Sequence, residues 1–119
     1  MKTISRGRLS GLVVALLLGA SVAACGGFSS TPLPVGVDKA RDTFAPIAAC
    51  AAKSGFEIAQ HPDSVNVQVE PGIWVQYMIQ GPSYNMVVVL SGDVPEGERA
   101  ARMTAAKKKG DEIFACATH

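Results

Sequence analysis

Between positions 64 and 90 the chain alternates apolar and polar residues with a period of two, the pattern of strands that lay one face on a core. Val65, Val67 and Val69 point one way while Asn66, Gln68 and Glu70 point the other. Ile73, Val75, Tyr77 and Ile79 continue the apolar set on a second strand, and Tyr84, Met86, Val88 and Leu90 on a third. Register follows from parity, because a slip of one residue would turn a whole set outward. A three-residue loop, Glu70-Pro71-Gly72, sets Val69 opposite Ile73, Val67 opposite Val75 and Val65 opposite Tyr77. A four-residue loop, Gln80 to Ser83, sets Ile79 opposite Tyr84, Tyr77 opposite Met86 and Val75 opposite Val88. The expectation is an antiparallel meander of three strands. It grows to four if Phe56 to Gln60 adds a short strand ahead of the turn cluster His61-Pro62-Asp63-Ser64.

On both sides of this region the period changes to that of a helix. Ala40, Phe44, Ile47, Ala48 and Ala51 recur at spacings of three and four within 38–54. Pro46 interrupts that pattern, so the helix either kinks there or begins near Thr43 with the proline in its first turn. Gly55 supplies a residue suited to end it. After the strands, Asp93 is placed as an N-cap with Glu96 three residues on and Pro95 in the first turn. Ala100, Met103, Ala106, Gly110, Ile113 or Phe114, and Ala117 then hold helical spacing to the end. Gly110 either caps one helix before another or is the small residue where a single helix lies close to the sheet. The pattern predicts an α+β fold in the order α-β-β-β-α, with an N-terminal and a C-terminal helix covering one face of a small antiparallel sheet.

The same register gives the sheet a second face holding Trp74, Met78, Val87 and Val89, ringed by Asn66, Gln68, Gln76 and Asn85. Trp74 falls opposite Val89 and Met78 opposite Asn85. No helix is left to cover this face. Contiguous apolar surface of that kind marks an interaction site, and Trp and Met are enriched at interfaces. The plainer reading is cross-strand packing that stabilises a thin sheet.

The N-terminus has a different character. Lys2, Arg6 and Arg8 precede an apolar run from Leu9 to Ala20, which has the length of a signal-peptide h-region and falls short of the roughly 20 apolar residues that span a bilayer. Small residues follow, and the run closes in Val22-Ala23-Ala24-Cys25. This stretch resembles the signal of bacterial lipoproteins, with Val22 in place of the usual leucine of the lipobox. The resemblance implies cleavage after Ala24, lipidation of Cys25 and a protein exported and held at a membrane by acyl chains. Gly26 in place of Asp after the cysteine favours, by the same resemblance, the outer membrane facing the periplasm in a cell with two membranes. Otherwise the expected location is the outer surface of the cell membrane. An ordinary secretory signal cut after Ala23 or Ala24 is the competing reading. The expected organisation is a signal peptide at 1–24, a lipidated cysteine and flexible Gly/Ser/Thr/Pro tether at 25–36, and a globular domain at 37–119.

Cleavage changes the charge balance. All ten acidic residues lie beyond Cys25 and three of the eleven basic ones before it, so the mature chain carries eight basic against ten acidic residues. That argues against nucleic acid as the main partner, which calls for a concentrated basic surface. A domain of roughly 80 residues has a small core that benefits from a covalent staple. With Cys25 given to lipid, Cys50 and Cys116 remain as a pair in an oxidising compartment. They are expected to form a disulfide joining the two ends of the domain, with two buried thiols or a reactive pair as the alternative.

Candidate chemistry is sparse. His61, Asp63 and Ser64 have the residue types of nucleophilic catalysis, but neighbours in one turn do not reach triad geometry. His61, Asp63 and His119 lack metal-ligand spacing. Lys107-Lys108-Lys109, late in a helix with Glu96 and Glu98 at its start, complement the helix dipole or touch anionic headgroups. No cofactor, metal or catalytic residue is expected. The functional expectation is a non-enzymatic, membrane-anchored envelope lipoprotein that meets an envelope protein, or itself, through Trp74, Met78, Val87 and Val89. The alternative is a periplasmic small-ligand carrier with a pocket lined by Phe44, Tyr77 and Tyr84. The arrangement also resembles small outer-membrane assembly lipoproteins with helices on a three-stranded sheet, but the element order differs and no residue or function carries over.

Overall fold

The computed structural model describes residues 27–119. Their order is β1 (Gly27–Pro32), α1 (Ala40–Lys53), β2 (Glu57–His61), β3 (Ser64–Glu70), β4 (Ile73–Gln80), β5 (Ser83–Leu90) and α2 (Arg99–Thr118), with a single 3-10 turn leading into each helix. The strands form one antiparallel sheet in the order β1-β5-β4-β3-β2. The fold is α+β, and it has five strands where three or four were expected.

Four strands follow each other as a meander because the hairpins are tight. Pro62-Asp63 joins β2 to β3, Pro71-Gly72 joins β3 to β4, and Gly81-Pro82 joins β4 to β5. The inward pairs Val67/Val75, Val65/Tyr77, Ile79/Tyr84, Tyr77/Met86 and Val75/Val88 stand as the parity argument places them. Both loops are shorter than expected. In the first, Glu70 pairs with Ile73 and the register shifts between Gln68 and Glu70. A bulge thus takes up the extra residue and keeps both Val69 and Ile73 buried.

The fifth strand is the largest correction. The stretch expected to be a tether runs along the sheet edge, with β1 pairing β5 from Gly27/Leu90 to Pro32/Asn85. Beyond it the Leu33 N–H donates to the Tyr84 carbonyl at 3.0 Å, and Leu33 and Val35 pack on the core. Backbone pairing with β5 holds this segment, and that requires no apolar alternation from its own residues.

α1 lies over β2 and β3 and α2 over β4 and β5, side by side on one face. Ala40, Phe44, Ile47 and Ala51 of α1 and Ala106, Ile113 and Phe114 of α2 are buried against the inward side chains of β3, β4 and β5. Ala100, expected on the packed stripe, is exposed. Pro46 sits within α1 and not in its first turn. The carbonyl it leaves without a helical donor belongs to Asp42, an exposed residue on the outer side of the helix. The helix ends as its sequence suggests. Gly55 takes φ of 85°, its N–H bonds the Ala52 carbonyl at 2.9 Å, and the Phe56 N–H bonds that of Ala51 at 3.1 Å. This pair of bonds is a Schellman motif.

The start of α2 departs from expectation. Asp93 caps nothing: its N–H donates to Ser91 Oγ, and the helix opens at Arg99 after a 3-10 turn over Glu96–Glu98 without a side-chain cap. The loop from Ser91 is instead bound to its own turn, where Val94 N–H bonds the Ser91 carbonyl at 3.2 Å and Val94 is buried. α2 then continues through Gly110 unbroken. A Cβ at that position would lie 2.6 Å from Met86 Sδ and 2.9 Å from Val75 Cγ1. Gly110 is therefore where the helix touches the sheet.

Cys50 of α1 and Cys116 of α2 form a disulfide with a Cα separation of 6.3 Å. It closes a span of 66 residues and ties the two helices together over the sheet.

Candidate interaction face

Because both helices lie on one side, the other side of the sheet is covered by no element among the described residues. Its outward side chains form cross-strand rows fixed by register. One row runs Phe28, Val89, Trp74, Gln68, Glu57 and the next Ser30, Val87, Gln76, Asn66, Ala59. A third runs Pro32, Asn85, Met78, Ser64, His61. Trp74 is opposite Val89 and Met78 opposite Asn85, and all four expected surface residues lie on this face.

Their exposure differs from one to the next. Trp74, Met78 and Val89 are half-buried, while Val87, in the middle row and one strand in from the edge, is buried at 7%. Flanking strands shield a central side chain of a flat sheet, so Val87 supports the face more than it presents itself. The residue that projects is Phe28, 54% exposed and the large hydrophobic left open among the described residues. Sequence reasoning missed it because its segment has the composition of a linker. The signal present was a lone aromatic in a Gly/Ser/Thr run.

The face is also almost uncharged. Among the described residues its rows hold no Asp, Lys or Arg, and their single carboxylate, Glu57, is on β2 at the edge far from Phe28. The charges sit elsewhere. Arg102 on α2 reaches Glu70 and Glu98 at 2.9 Å each. Arg41 of α1 pairs with Asp63 and donates to the Pro62 carbonyl, clamping the helix start to the β2–β3 turn.

That clamp uses one of the residues with catalytic types. Asp63 is an ion-pair partner, and His61 and Ser64 face each other as the closing pair of the hairpin. No group of three or more His, Cys, Asp or Glu side chains comes together among the described residues. His119 follows the end of α2, and Lys107 and Lys108 are exposed on its outer side.

The aromatic residues considered as a pocket lining pack on one another. Phe44 meets Tyr84 edge-on at 6.0 Å, Tyr84 meets Phe114 at 6.3 Å, and Tyr77 stacks on Phe114 at 6.1 Å. Both phenols are used internally: Tyr77 donates to the Gly110 carbonyl at 2.6 Å, and Tyr84 contacts Thr43 Oγ1 at 2.6 Å. Burial pushes the Tyr77 hydroxyl far above the ordinary phenol range, with smaller contributions from Tyr84 and Asp111. Burial likewise raises Tyr84, opposed in part by Thr43, whose proton could turn toward a phenolate. A cleft of about 460 Å³ does exist, but outside the core. Cys50, Lys53, Phe56, Lys109, Glu112 and Cys116 line it beside the disulfide.

Cys25, the lipidation candidate, lies outside the described residues. No helix among the described residues is long and apolar enough to cross a membrane. Comparisons with protein-family models, with curated proteins and with solved structures find no significant match to this chain.

Proposed function

We propose that the protein is a lipid-anchored docking module of the cell envelope, acting by binding and not by catalysis, with the open sheet face as its working surface. Its anchor is Cys25, at the end of the lipobox-like Val22-Ala23-Ala24-Cys25. The observation that carries the docking surface is the projection of Phe28 from an uncovered, nearly uncharged face, in register with Val89 and Trp74. Exposing such a row to water is unfavourable by about 25 cal/mol per Å² of apolar area, and a partner recovers that. Tyr77, Tyr84 and Asp63 spend their polar groups on contacts that hold the fold. The small-ligand carrier has less support, since the rings that would line its pocket fill the space themselves.

Two measurements test this. Intact mass of protein extracted from membranes should begin at an acylated Cys25; a chain without acyl groups removes the anchor. A photo-crosslinking phenylalanine analogue at position 28 should form adducts in intact envelopes, while the same probe at exposed Lys108 should not. Equal labelling from both positions would remove the face as the working surface.

A further inference from the structure

We infer that what the open face docks on is the membrane itself: the Phe28, Val89, Trp74 row seats in the headgroup and upper acyl region of the leaflet that holds the anchor. This deepens the docking reading and rests on acylation at Cys25. The argument begins with chain length. Gly26 alone separates Cys25 from β1, whose first residue, Gly27, is already paired with Leu90. Two residues of extended chain reach at most about 7 Å, which is on the order of the thickness of one headgroup layer. With 27–36 bound to the sheet and core, no slack remains to hold the domain away from the bilayer.

Position within the sheet then selects the row. Gly27 is the end of β1 next to the anchor, and Phe28, Val89 and Trp74 lie immediately beside it on the open side. Of the face's apolar side chains, these are the ones the anchor brings nearest to lipid. Aromatic side chains favour the membrane interface, where an apolar ring and a polar edge both find partners. Trp74, with its indole N–H, meets that requirement, Phe28 offers a purely apolar ring to the acyl boundary, and the Ser, Asn and Gln around them can face headgroups without a charge to desolvate. The one carboxylate of the face, Glu57, is four strands away from β1.

Area puts a second copy at the margin, so the short link to the anchor carries the choice of occupant. Five strands about 4.8 Å apart and about 20 Å tall make a face on the order of 500 Å². Two copies face to face would bury on the order of 1,000 Å², the lower bound for a specific interface. A membrane contact has no such threshold, because the acyl chains already supply attachment and a high local concentration.

Trp74 is the single tryptophan of the chain, so its fluorescence reports on this row alone. The full acylated protein, purified in detergent, would be placed in neutral phosphatidylcholine vesicles with or without bromine near the carbonyl end of the acyl chains. Seating in the upper acyl region should shift Trp74 emission to the blue and quench it about twofold in the brominated vesicles, with less quenching from bromines deep in the chains. Phe28→Ser should weaken the quenching while circular dichroism stays unchanged. If the mass shows acylated Cys25 and bromine has no effect, the inference fails while the anchor stands. A blue-shifted but unquenched Trp74 together with a cross-linked dimer would give the face to a second copy and also overturn it. A chain without acyl groups would overturn both readings.

Discussion

The Tyr77 hydroxyl donates to the carbonyl of Gly110 at 2.6 Å, from the middle of β4 to the middle of α2. The bond is possible because Gly110 has no side chain. A Cβ there would stand 2.9 Å from Val75 Cγ1 and 2.6 Å from Met86 Sδ, so close approach of backbone and sheet is what brings the carbonyl within reach.

Gly110→Ala sets two effects against each other. Alanine is better than glycine in a helix interior by about 1 kcal/mol, whereas overpacking a core costs roughly 1–3 kcal/mol. Met86 can swing its flexible end aside, but Val75 is β-branched on a central strand and cannot. The net expectation is a loss of about 1–2 kcal/mol, read as a lower urea midpoint at unchanged slope. A midpoint at or above that of the native protein would mean the helix can lift off the sheet without penalty.

Thr43 and Tyr84 form a second internal pair. The Thr43 hydroxyl donates to the Ala40 carbonyl at 2.6 Å, which leaves its oxygen to accept from Tyr84. Thr43→Val should cost about 1–3 kcal/mol by stranding a buried phenol, while Tyr84→Phe and the double variant should cost less than the sum of the singles. Additive losses in denaturant unfolding would show that the pair is not coupled.

The two tyrosines of the chain are both in the core, so phenol titration reports on folding. Burial raises both folded-state values above the unfolded value of about 10. Stability from these groups is therefore complete below about pH 10 and is lost as pH climbs from there toward the raised folded values. Absorbance of phenolate should stay low past the point where free tyrosine ionises, then rise together with loss of near-ultraviolet circular dichroism. Ionisation of either residue near pH 10 in a folded chain would contradict its burial.

The Cys50–Cys116 bond should contribute about 4 kcal/mol through the unfolded chain, given its 66-residue span. Replacing both cysteines with serine should lower stability by that order. Alkylation before reduction should label neither Cys50 nor Cys116. A stability change under about 1 kcal/mol would show that helix packing alone sets the geometry.

What the sequence by itself determined is the part of the fold whose information is local or countable. The alternation in β3, β4 and β5 specifies which side chains go inward, since a one-residue slip would expose them all. The spacing in α1 specifies its buried stripe and that in α2 places Ala106, Ile113 and Phe114 inward, Gly55 specifies the end of α1, and Cys50 and Cys116 are the two cysteines within the domain and pair with each other. Each of these signals sits in the residues that display it.

What only the tertiary structure decided is whatever depends on a partner far along the chain. β1 has no apolar alternation and is a strand because β5 offers it an edge, so its residues alone could not distinguish it from a tether. Phe28 entered the candidate face by the same route. The start of α2 at Arg99, the shortened hairpins and the unbroken helix at Gly110 likewise follow from how the pieces fit. A glycine that ends a helix and one that lets a helix touch a sheet are the same letter, and the difference is the position of Val75 and Met86.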